Sequence, residues 1–298
     1  MCSLIPQQGQ LQRLTYELIH AWQAVTGRTT FNFGFSPVDP AILSDPEFAK
    51  EADHLQLYAE LLALLPWDAA SWKRSAILEI ATGSAGGLLY LQRRYGPCEA
   101  VGIDMSAIAA WRARRKGLDV RRGNANRLPF ESGRFHAAVC VDAINYFDER
   151  QFLREVRRIL KPGGRFVLTL SGGRWHTLSE RLDRLAHIGR FEVDGMRDLT
   201  DGVRRSVQGR AAKEETAIVR LSGKLRLRAR EMMMLPGSES YRQLLVGEKC
   251  FGAAILRAHA AYAGVGPSVS PFLHARCLGG DDGVEALHLL GRKRRRVE

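Results

Sequence analysis

The sequence has no long apolar run. Nowhere do its 298 residues contain an uninterrupted stretch of about 18 apolar residues, the length that a membrane-spanning helix needs. Residues 1–10 also lack the basic start and apolar stretch that mark a secretory signal. We therefore expect a protein without membrane spans that is located in the cytoplasm.

Paired cysteines are missing as well. The five cysteines form no C-x-x-C pair, and no histidine lies at zinc-finger spacing from any of them. They are Cys2, Cys98, Cys140, Cys250 and Cys277. A scattered, odd-numbered set is typical of a reducing compartment and argues against a disulfide framework or a structural zinc site. We predict a cytoplasmic protein that binds no metal.

Acidic residues are outnumbered. There are 32 Asp and Glu residues against 44 Lys and Arg residues, which gives a net charge of +12. The chain also carries the basic run Arg-Lys-Arg-Arg-Arg at 292–296. Such charge can bind nucleic acid. Arginine-rich helices with solvated faces are the favoured explanation, and a nucleic-acid partner stays an alternative.

Helical patterns dominate residues 1–70. Apolar residues recur at helical spacing over 8–26 and 47–65. Ser44-Asp45-Pro46 is typical of a helix start, because a capping side chain precedes a proline in the first turn. Residues 1–70 are therefore predicted to form an N-terminal helical cap.

Strand and helix patterns alternate through residues 71–171. Short apolar strands are predicted at 76–81, 100–103, 137–141 and 166–170 and a weaker strand at 119–121, with helices between strands. This alternation predicts βαβ units and a parallel sheet, with a ligand crevice at the carboxyl ends of the strands. Beyond residue 171 the pattern weakens. It predicts a helix at 174–188, a strand at 191–193, mostly helix over 202–263 and a final strand at 284–290.

Small residues follow the first predicted strand. The segment 79–87 reads Glu-Ile-Ala-Thr-Gly-Ser-Ala-Gly-Gly, which allows a tight turn and the close approach of a ligand to backbone N–H groups. Asp104, at the end of the second strand, could accept hydrogen bonds from two ribose hydroxyls. A plain strand-to-helix turn and an acid at a helix N-terminus are the alternatives.

The small-residue loop does not fit the G-x-G-x-x-G pattern of dinucleotide-binding proteins. Three further segments distinguish the chain from dinucleotide-binding proteins. They are N-A-N-R-L-P-F at 124–130, D-A-I-N-Y-F at 142–147 and R-I-L-K-P-G-G-R at 158–165. Together with E-I-A-T-G-S-A-G at 79–86 and G-I-D-M-S at 102–106, they resemble class I S-adenosylmethionine (SAM)-dependent methyltransferases in order and spacing. The resemblance covers residues 75–171.

The resemblance implies an α/β fold. The expected architecture is a Rossmann-like, seven-stranded, mostly parallel sheet with helices on both faces, a helical cap at 1–70 and a helical insertion after the fifth strand. Residues 71–171 would be the SAM-binding core, and 172–298 would supply a substrate lid and the last strands of the core.

The resemblance also implies a cofactor site for SAM, with S-adenosylhomocysteine as product. The loop would wrap the methionine part, Asp104 would bind the ribose, Met105 would stack on adenine, and the Asn124 segment would meet the adenine edge. The implied residues are Glu79, Ala81, Thr82, Gly83, Ser84, Ala85, Asp104, Met105, Asn124, Ala125, Asn126, Val141 and Asp142. The sequence departs from the family's pattern at Ala81 and Ala85, where glycines are usual, and at Asn124, where an acid is usual.

The acceptor is predicted from the flanking segments. Asp142-Ala143-Ile144-Asn145 stands where many base-modifying enzymes carry N/D-P-P-Y/F, and the cap and insertion look like the lids of enzymes for natural products, amines and sterols. We predict methyl transfer to a small specialised metabolite. An RNA-modifying methyltransferase and a non-catalytic SAM-fold binding protein are the alternatives, and the oligomeric state stays open, a dimer included.

Aromatic and polar residues near the predicted crevice are the candidates for the acceptor site. Phe33, Phe35, Asn145, Tyr146 and Trp175 are candidates for substrate binding, and Asn145, Tyr146 and His176 for catalysis, with His176 as a base. Ordinary packing of the cap explains Phe33 and Phe35 equally well, and a turn at the strand end explains Asn145 and Tyr146.

Overall fold

The strands of the protein form a single sheet among the residues that the computed structural model describes, which are 8–172, 175–214 and 250–258. The strands are β1 (Ala76–Ile80), β2 (Glu99–Asp104), β3 (Asp119–Arg122), β4 (Phe135–Cys140), β5 (Leu160–Gly172), β6 (Phe191–Asp198) and β7 (Cys250–Ala258). The chain divides into two compact units, 1–261 and 262–298, and every described residue belongs to the first.

The seven strands lie in the order β3-β2-β1-β4-β5-β7-β6. Strands β1 to β5 pair in parallel, and β7 pairs antiparallel with both β5 and β6. The prediction of a seven-stranded, mostly parallel sheet is confirmed. The strand order reverses between β1 and β4, and ligands of such sheets bind at the carboxyl ends beside that reversal.

Helices cover both faces of the sheet. They are α1 (Gln8–Thr26), α2 (Pro40–Leu43), α3 (Ala52–Leu62), α4 (Ala69–Lys73), α5 (Gly86–Tyr95), α6 (Ala107–Arg115), α7 (Glu149–Ile159), α8 (Trp175–Gly189) and α9 (Thr200–Glu214). Every residue of β1 is buried, and its side chains alternate between two cores: Ile77 packs in one, Leu78 and Ile80 in the other. Burial on both faces is typical of a central parallel strand.

The cap helices differ in their bounds from the prediction. The first helix after α1 is α2, which begins at Pro40 because the Asp39 side chain accepts a hydrogen bond from the Ala41 N–H. Asp45 accepts one from the Glu47 N–H and forms only a turn. A short 3-10 segment at Ala49–Glu51 then leads into α3. The predicted helix start at Ser44-Asp45-Pro46 was wrong.

Strand β7 falls inside the stretch that was predicted to be mostly helical. The apolar run from Phe251 to Leu256 is buried, and a short apolar run does not distinguish a buried strand from a buried helix. Helix α9 agrees with the helical prediction as far as Glu214. The predicted final strand at 284–290 lies outside the described residues. Among the helices that the structure describes, none is long and apolar enough to cross a membrane.

Candidate functional site

A cavity of about 260 Å³ lies at the carboxyl ends of β1, β2 and β4. The sheet side contributes the loops after these strands and after β3, and α1 with residues 29–31 contributes the opposite wall. Predicted cofactor residues that line it are Ala81, Thr82, Gly83, Ser84, Asp104, Met105, Asn124, Ala125, Asn126, Val141 and Asp142. The topology therefore brings most of the predicted cofactor set to one cavity.

The loop after β1 turns by means of left-handed backbone. Ala81, Gly83 and Ala85 have φ angles of 58°, 55° and 64°. A left-handed conformation costs an alanine roughly 1–2 kcal/mol, so glycine suits these positions better. Close packing also restricts the start of α5, because a Cβ on Gly87 would lie 2.1 Å from the Tyr58 ring. The start of α5 thus packs closely against the cap residue Tyr58.

Asp104 joins the cofactor loop to the start of α6. Its carboxylate accepts hydrogen bonds from the Gly83 N–H and the Ser106 N–H, both at 2.8 Å. The side chain is only half-buried and lines the cavity. A carboxylate oxygen has more than one lone pair, so further hydrogen bonds from hydroxyl groups in the cavity remain available.

Glu79 lies beneath the loop and does not line the cavity. It is 1% exposed and accepts hydrogen bonds from the Tyr58 hydroxyl at 2.6 Å and the Thr82 hydroxyl at 2.5 Å. Burial raises the pKa of Glu79 to about 7, although these hydrogen bonds act in the opposite direction. Glu79 therefore ties the loop to the cap from below.

Asp142 connects β4, β5 and the segment before α2. Its carboxylate accepts hydrogen bonds from the Thr169 hydroxyl at 2.7 Å and the Phe33 N–H at 2.9 Å. Its own N–H donates to the Thr169 hydroxyl, also at 2.7 Å. The Phe33 ring is 2% exposed and packs edge-to-face on Phe251. Phe33 thus reaches the site through its backbone rather than through its ring.

Four residues of α1 line the cavity although the sequence did not predict them there: Arg13, Tyr16, His20 and Gln23. The His20 Nδ1 lies 2.8 Å from the Gln23 Oε1, and the ring lies over Gly83, where a Cβ would approach it to 3.3 Å. These residues recur at intervals of three or four, so they share one helix face. That spacing predicts a shared helix face, but it does not show which part of the protein the face covers.

Arg112, on α6, fastens this wall to the cofactor loop. Its guanidinium donates to the Ser84 hydroxyl at 2.7 Å and to the backbone oxygens of Gln23 and Arg28 at 3.1 and 2.9 Å. Arg112 is 9% exposed, and burial lowers its pKa. Helix α1 is therefore held against the loop by a buried cation.

Two tyrosines lie together in the cavity. The rings of Tyr16 and Tyr146 pack edge-to-face with their centroids 5.5 Å apart. Burial raises the pKa of Tyr16 well above its usual value, and the neighbouring Tyr146 raises it further. Tyr16 is therefore a neutral phenol near neutral pH, able to donate and to accept a hydrogen bond.

Several predicted site residues do not line the cavity as far as the structure describes it. Ala85 is buried behind the loop, and Phe35 packs against Gly202. Asn145 is exposed, because it lies in the short 3-10 turn after β4. Phe35 and Asn145 therefore do not line this cavity, and their role at an acceptor stays a prediction.

The start of α8 also lies away from the cavity. Trp175 and His176 begin this helix, whose contacts are with α7 and the strands β5 to β7, and His176 is exposed. His176 is not among the residues that line the described cavity, and the roles of Trp175 and His176 at an acceptor stay predictions. Within the described ranges, no cluster of three or more His, Cys, Asp or Glu side chains could hold a metal ion.

Comparison with known proteins agrees with this geometry. Residues 77–164, which run from β1 into β5, match a family model described as a methyltransferase domain. The chain therefore carries a class I methyltransferase domain. The match confirms the family that the motif series between residues 75 and 171 had indicated.

Relatives of the methyltransferase domain include enzymes of lipid chemistry. The chain is 28% identical over 187 residues to a phthiotriol/phenolphthiotriol dimycocerosates methyltransferase of Mycobacterium leprae, covering 58% of this chain and 65% of the relative. It is also 28% identical over 165 residues to a fatty-acid O-methyltransferase of Mycolicibacterium smegmatis, covering 54% and 59%. The chain spans from 35% to 65% of the length of the first curated relatives it matches.

The fold of the methyltransferase domain recurs in solved structures. A geranyl diphosphate C-methyltransferase of Streptomyces coelicolor, in complex with Mg²⁺, geranyl diphosphate and S-adenosyl-L-homocysteine, superposes with a TM-score of 0.62. The sequence identity is 18%, and the match covers 87% of this chain and 100% of the other. The likeness confirms the Rossmann-like fold.

Proposed function

We propose that this protein transfers the methyl group of SAM to a small, lipid-like acceptor. The proposal rests on one observation: the left-handed loop, Asp104, the Asn124 segment and a pair of tyrosines all line the same cavity. The first three elements suit a cofactor of the SAM type, and the tyrosines provide a separate end for an acceptor.

The residues present fit SAM. The loop from Ala81 to Ser84 lines the cavity just before α5, and the positive end of a helix dipole favours a carboxylate such as that of methionine. Asp104 lies at the end of β2 with a half-buried carboxylate, which suits ribose hydroxyls. Bound there, SAM supplies a methyl group made electrophilic by its sulfonium.

The protein's own contribution is positioning. Holding the acceptor atom in line with the methyl carbon accounts for much of the rate in such a displacement. His20 lies over Gly83, on the loop side of the cavity, so it suits the amino-acid part of the cofactor. Tyr16 and Tyr146 remain to orient the acceptor, and α1 shields the reaction from water.

An acceptor that needs no base suits this site best. Both carboxylate oxygens of Asp142 already accept hydrogen bonds within the protein, and Tyr16 has a raised pKa. A carboxylic acid is ionised at neutral pH and can be methylated without prior proton removal. The name of the fatty-acid O-methyltransferase relative supports the same chemistry.

The test is a transfer assay with methyl-labelled SAM. Long-chain fatty acids, long-chain alcohols and tRNA would be offered separately to the purified chain. We expect label in the fatty-acid methyl ester. Label in tRNA would replace this proposal by the RNA-modifying alternative, and SAM binding without transfer to any acceptor would favour a non-catalytic protein.

Tyr146→Phe tests the acceptor end separately. Losing the hydroxyl should raise the KM for the acceptor about tenfold and leave the Kd for SAM unchanged. Tyr95→Phe is the matched control, because Tyr95 stacks on Trp72 away from the cavity. Equal effects of both variants would refute the assignment of Tyr146.

We also propose a cytoplasmic location and a role for the segments flanking residues 71–171 as lids. The five scattered cysteines form no C-x-x-C pair, which supports a reducing compartment. The presence of α1 in the cavity wall supports a lid role for residues 1–70. Fractionation of cells that express the full chain tests the location, and recovery with the membrane or outside the cell would contradict it.

A further inference from the structure

A second cavity, of about 420 Å³, lies where α7 passes the end of α8. Its lining residues are Arg150, Arg154, Arg157, Ile188, Gly189 and Arg190. We call this set of six residues the arginine pocket. Four of the six are arginines and none is acidic, so the wall carries a concentrated positive charge.

The spacing along α7 builds most of the pocket. Arg150, Arg154 and Arg157 are separated by four and three residues, so they share one helix face and span about 10 Å along it. Arg190 follows α8 directly and reaches the same cavity with a left-handed backbone, φ 56°. Two elements thus converge on one basic cavity.

The acids of α7 are engaged elsewhere. Glu149 pairs with Arg184 at 2.6 Å and with Arg181 at 3.4 Å. Glu155 pairs with Arg158 at 2.8 Å and also accepts a hydrogen bond from the Leu128 N–H at 2.8 Å. Glu149 and Glu155 therefore form their ion pairs with arginines that do not line the pocket.

The positive charges crowd one another. Burial lowers the pKa of Arg157, and the charge of Arg190 lowers it further. Arg150, Arg154 and Arg190 are exposed, so a ligand can reach them from solvent. An anion in this cavity would contact several guanidinium groups at once, and this distinguishes the pocket from a helix face with separate arginines.

We propose that the arginine pocket binds phosphate groups. Guanidinium groups present paired N–H donors that match phosphate oxygens, and a set of several converging on one cavity suits a ligand with more than one negative charge. The pocket begins close to the first cavity, because Arg150 follows Phe147, which lines that cavity, by three residues. The phosphate could belong to a soluble molecule or to a lipid headgroup.

The test uses the full chain and two probes. Titration calorimetry with pyrophosphate measures binding of soluble phosphate, and flotation with phosphatidylglycerol vesicles, against phosphatidylcholine vesicles, measures binding of a lipid headgroup. We expect the wild type to bind at least one probe, and Arg150→Gln/Arg154→Gln to weaken that binding about tenfold. Binding of pyrophosphate alone assigns a soluble ligand, and binding of anionic vesicles assigns a lipid.

Arg74→Gln/Arg114→Gln is the matched control. It removes the same charge at two exposed positions outside the pocket, Arg74 at the end of α4 and Arg114 on α6. This variant should change the affinity for either probe less than twofold. Equal losses in both double variants would show that net charge alone is responsible and overturn the proposal. Failure of the wild type to bind either probe would also overturn it. An unchanged Kd for SAM in both variants shows that they are folded, so this test stands apart from the proposed methyl transfer.

Discussion

Ala81 and Ala85 have the left-handed backbone that glycine favours, with φ angles of 58° and 64°. These are the two loop positions at which the sequence departs from the glycines usual in the family. The structure shows that the departure changes the residue type and keeps the backbone conformation. The loop therefore stores conformational strain at the edge of the cavity.

Replacing Ala81 by glycine should release part of this strain. We expect Ala81→Gly to raise the free energy of unfolding by up to about 1 kcal/mol, because the relief of the left-handed conformation exceeds the added entropy of the unfolded chain. Denaturant titration measures the change. Ala70→Gly, in the right-handed helix α4, is the control and should lower the same quantity by about 1 kcal/mol. A loss in both variants would count against strain at Ala81.

Glu79 makes stability depend on pH in an unusual direction. Its pKa in the folded protein is about 7, above the 4.5 of an ordinary glutamate, because it is buried. The folded state therefore holds this proton more tightly than the unfolded state. The contribution of Glu79 to stability is full below about pH 4.5 and is lost as the pH rises through 7.

Glu79→Gln should remove this dependence. Between about pH 4.5 and 8, the difference in unfolding free energy between wild type and variant should shift by on the order of 3 kcal/mol, to the disadvantage of the wild type at high pH. Denaturant titrations at a series of pH values measure it. The exposed Glu131→Gln is the control and should show no such shift. A constant difference for Glu79→Gln would mean that its pKa is ordinary.

At the scale of elements, Glu17 links α1 to α6. Its carboxylate accepts hydrogen bonds from the Ser106 hydroxyl at 2.6 Å, the Ala107 N–H at 2.8 Å and the Ile108 N–H at 3.2 Å. Burial by itself would raise the pKa of Glu17, but these hydrogen bonds outweigh it and the pKa is lowered. An acid from one helix thus caps the N-terminus of another, directly after Asp104 and Met105 of the site.

Glu17→Gln should loosen α1 without unfolding the sheet. Loss of the charge at the α6 N-terminus should destabilise this contact by about 1 kcal/mol. Hydrogen exchange of the α1 amides should then become several-fold faster while that of β1 stays unchanged. Wild type at a pH well below 4.5 should resemble the variant, since a lowered pKa means that the contribution is lost as the carboxylate gains its proton.

Ala24→Gln provides the control on the same helix, because Ala24 is exposed and glutamine is also a good helix former. Its exchange rates should match those of wild type. If α1 exchanged at the wild-type rate in Glu17→Gln, the contact with α6 would not be what holds the helix in place.

For the whole molecule, the cavity joins parts of the chain that are distant in sequence, so a ligand there should stabilise the entire fold. SAM at a hundred times its Kd should add about 2.7 kcal/mol to the free energy of unfolding and raise the Tm by roughly 5 °C. Thermal denaturation with and without SAM measures this. Asp104→Asn should abolish most of the rise at the same concentration, because the carboxylate for the ribose is lost.

Asp119→Asn is the control for that experiment. Asp119 is exposed and is the first residue of β3, so it lies at the amino end of its strand, whereas the cavity lies at the carboxyl ends. Its Tm should rise with SAM as in wild type. The absence of any rise in wild-type protein at millimolar SAM would contradict the cofactor site.

Local sequence determined the parallel half of the sheet and the cofactor loops. The apolar runs of β1, β2, β4 and β5, the small residues at 81–87 and Asp104 are short patterns whose conformations depend mostly on near neighbours. The carboxyl ends of parallel strands must then meet at one edge. This is why most predicted cofactor residues lie in one cavity.

The tertiary structure decided what covers that cavity and how the sheet is completed. Helix α1 contacts α6 through Glu17, which binds the Ala107 N–H, and through Arg112, which binds the Gln23 oxygen. These contacts join residues about ninety positions apart, which helical periodicity does not encode. Strand β7 lies between β5 and β6 although it follows both in sequence, and an apolar run alone does not specify such pairing. The contact between Tyr16 and Tyr146, where we propose that the acceptor binds, is likewise long-range, because only the folded chain brings the two rings together.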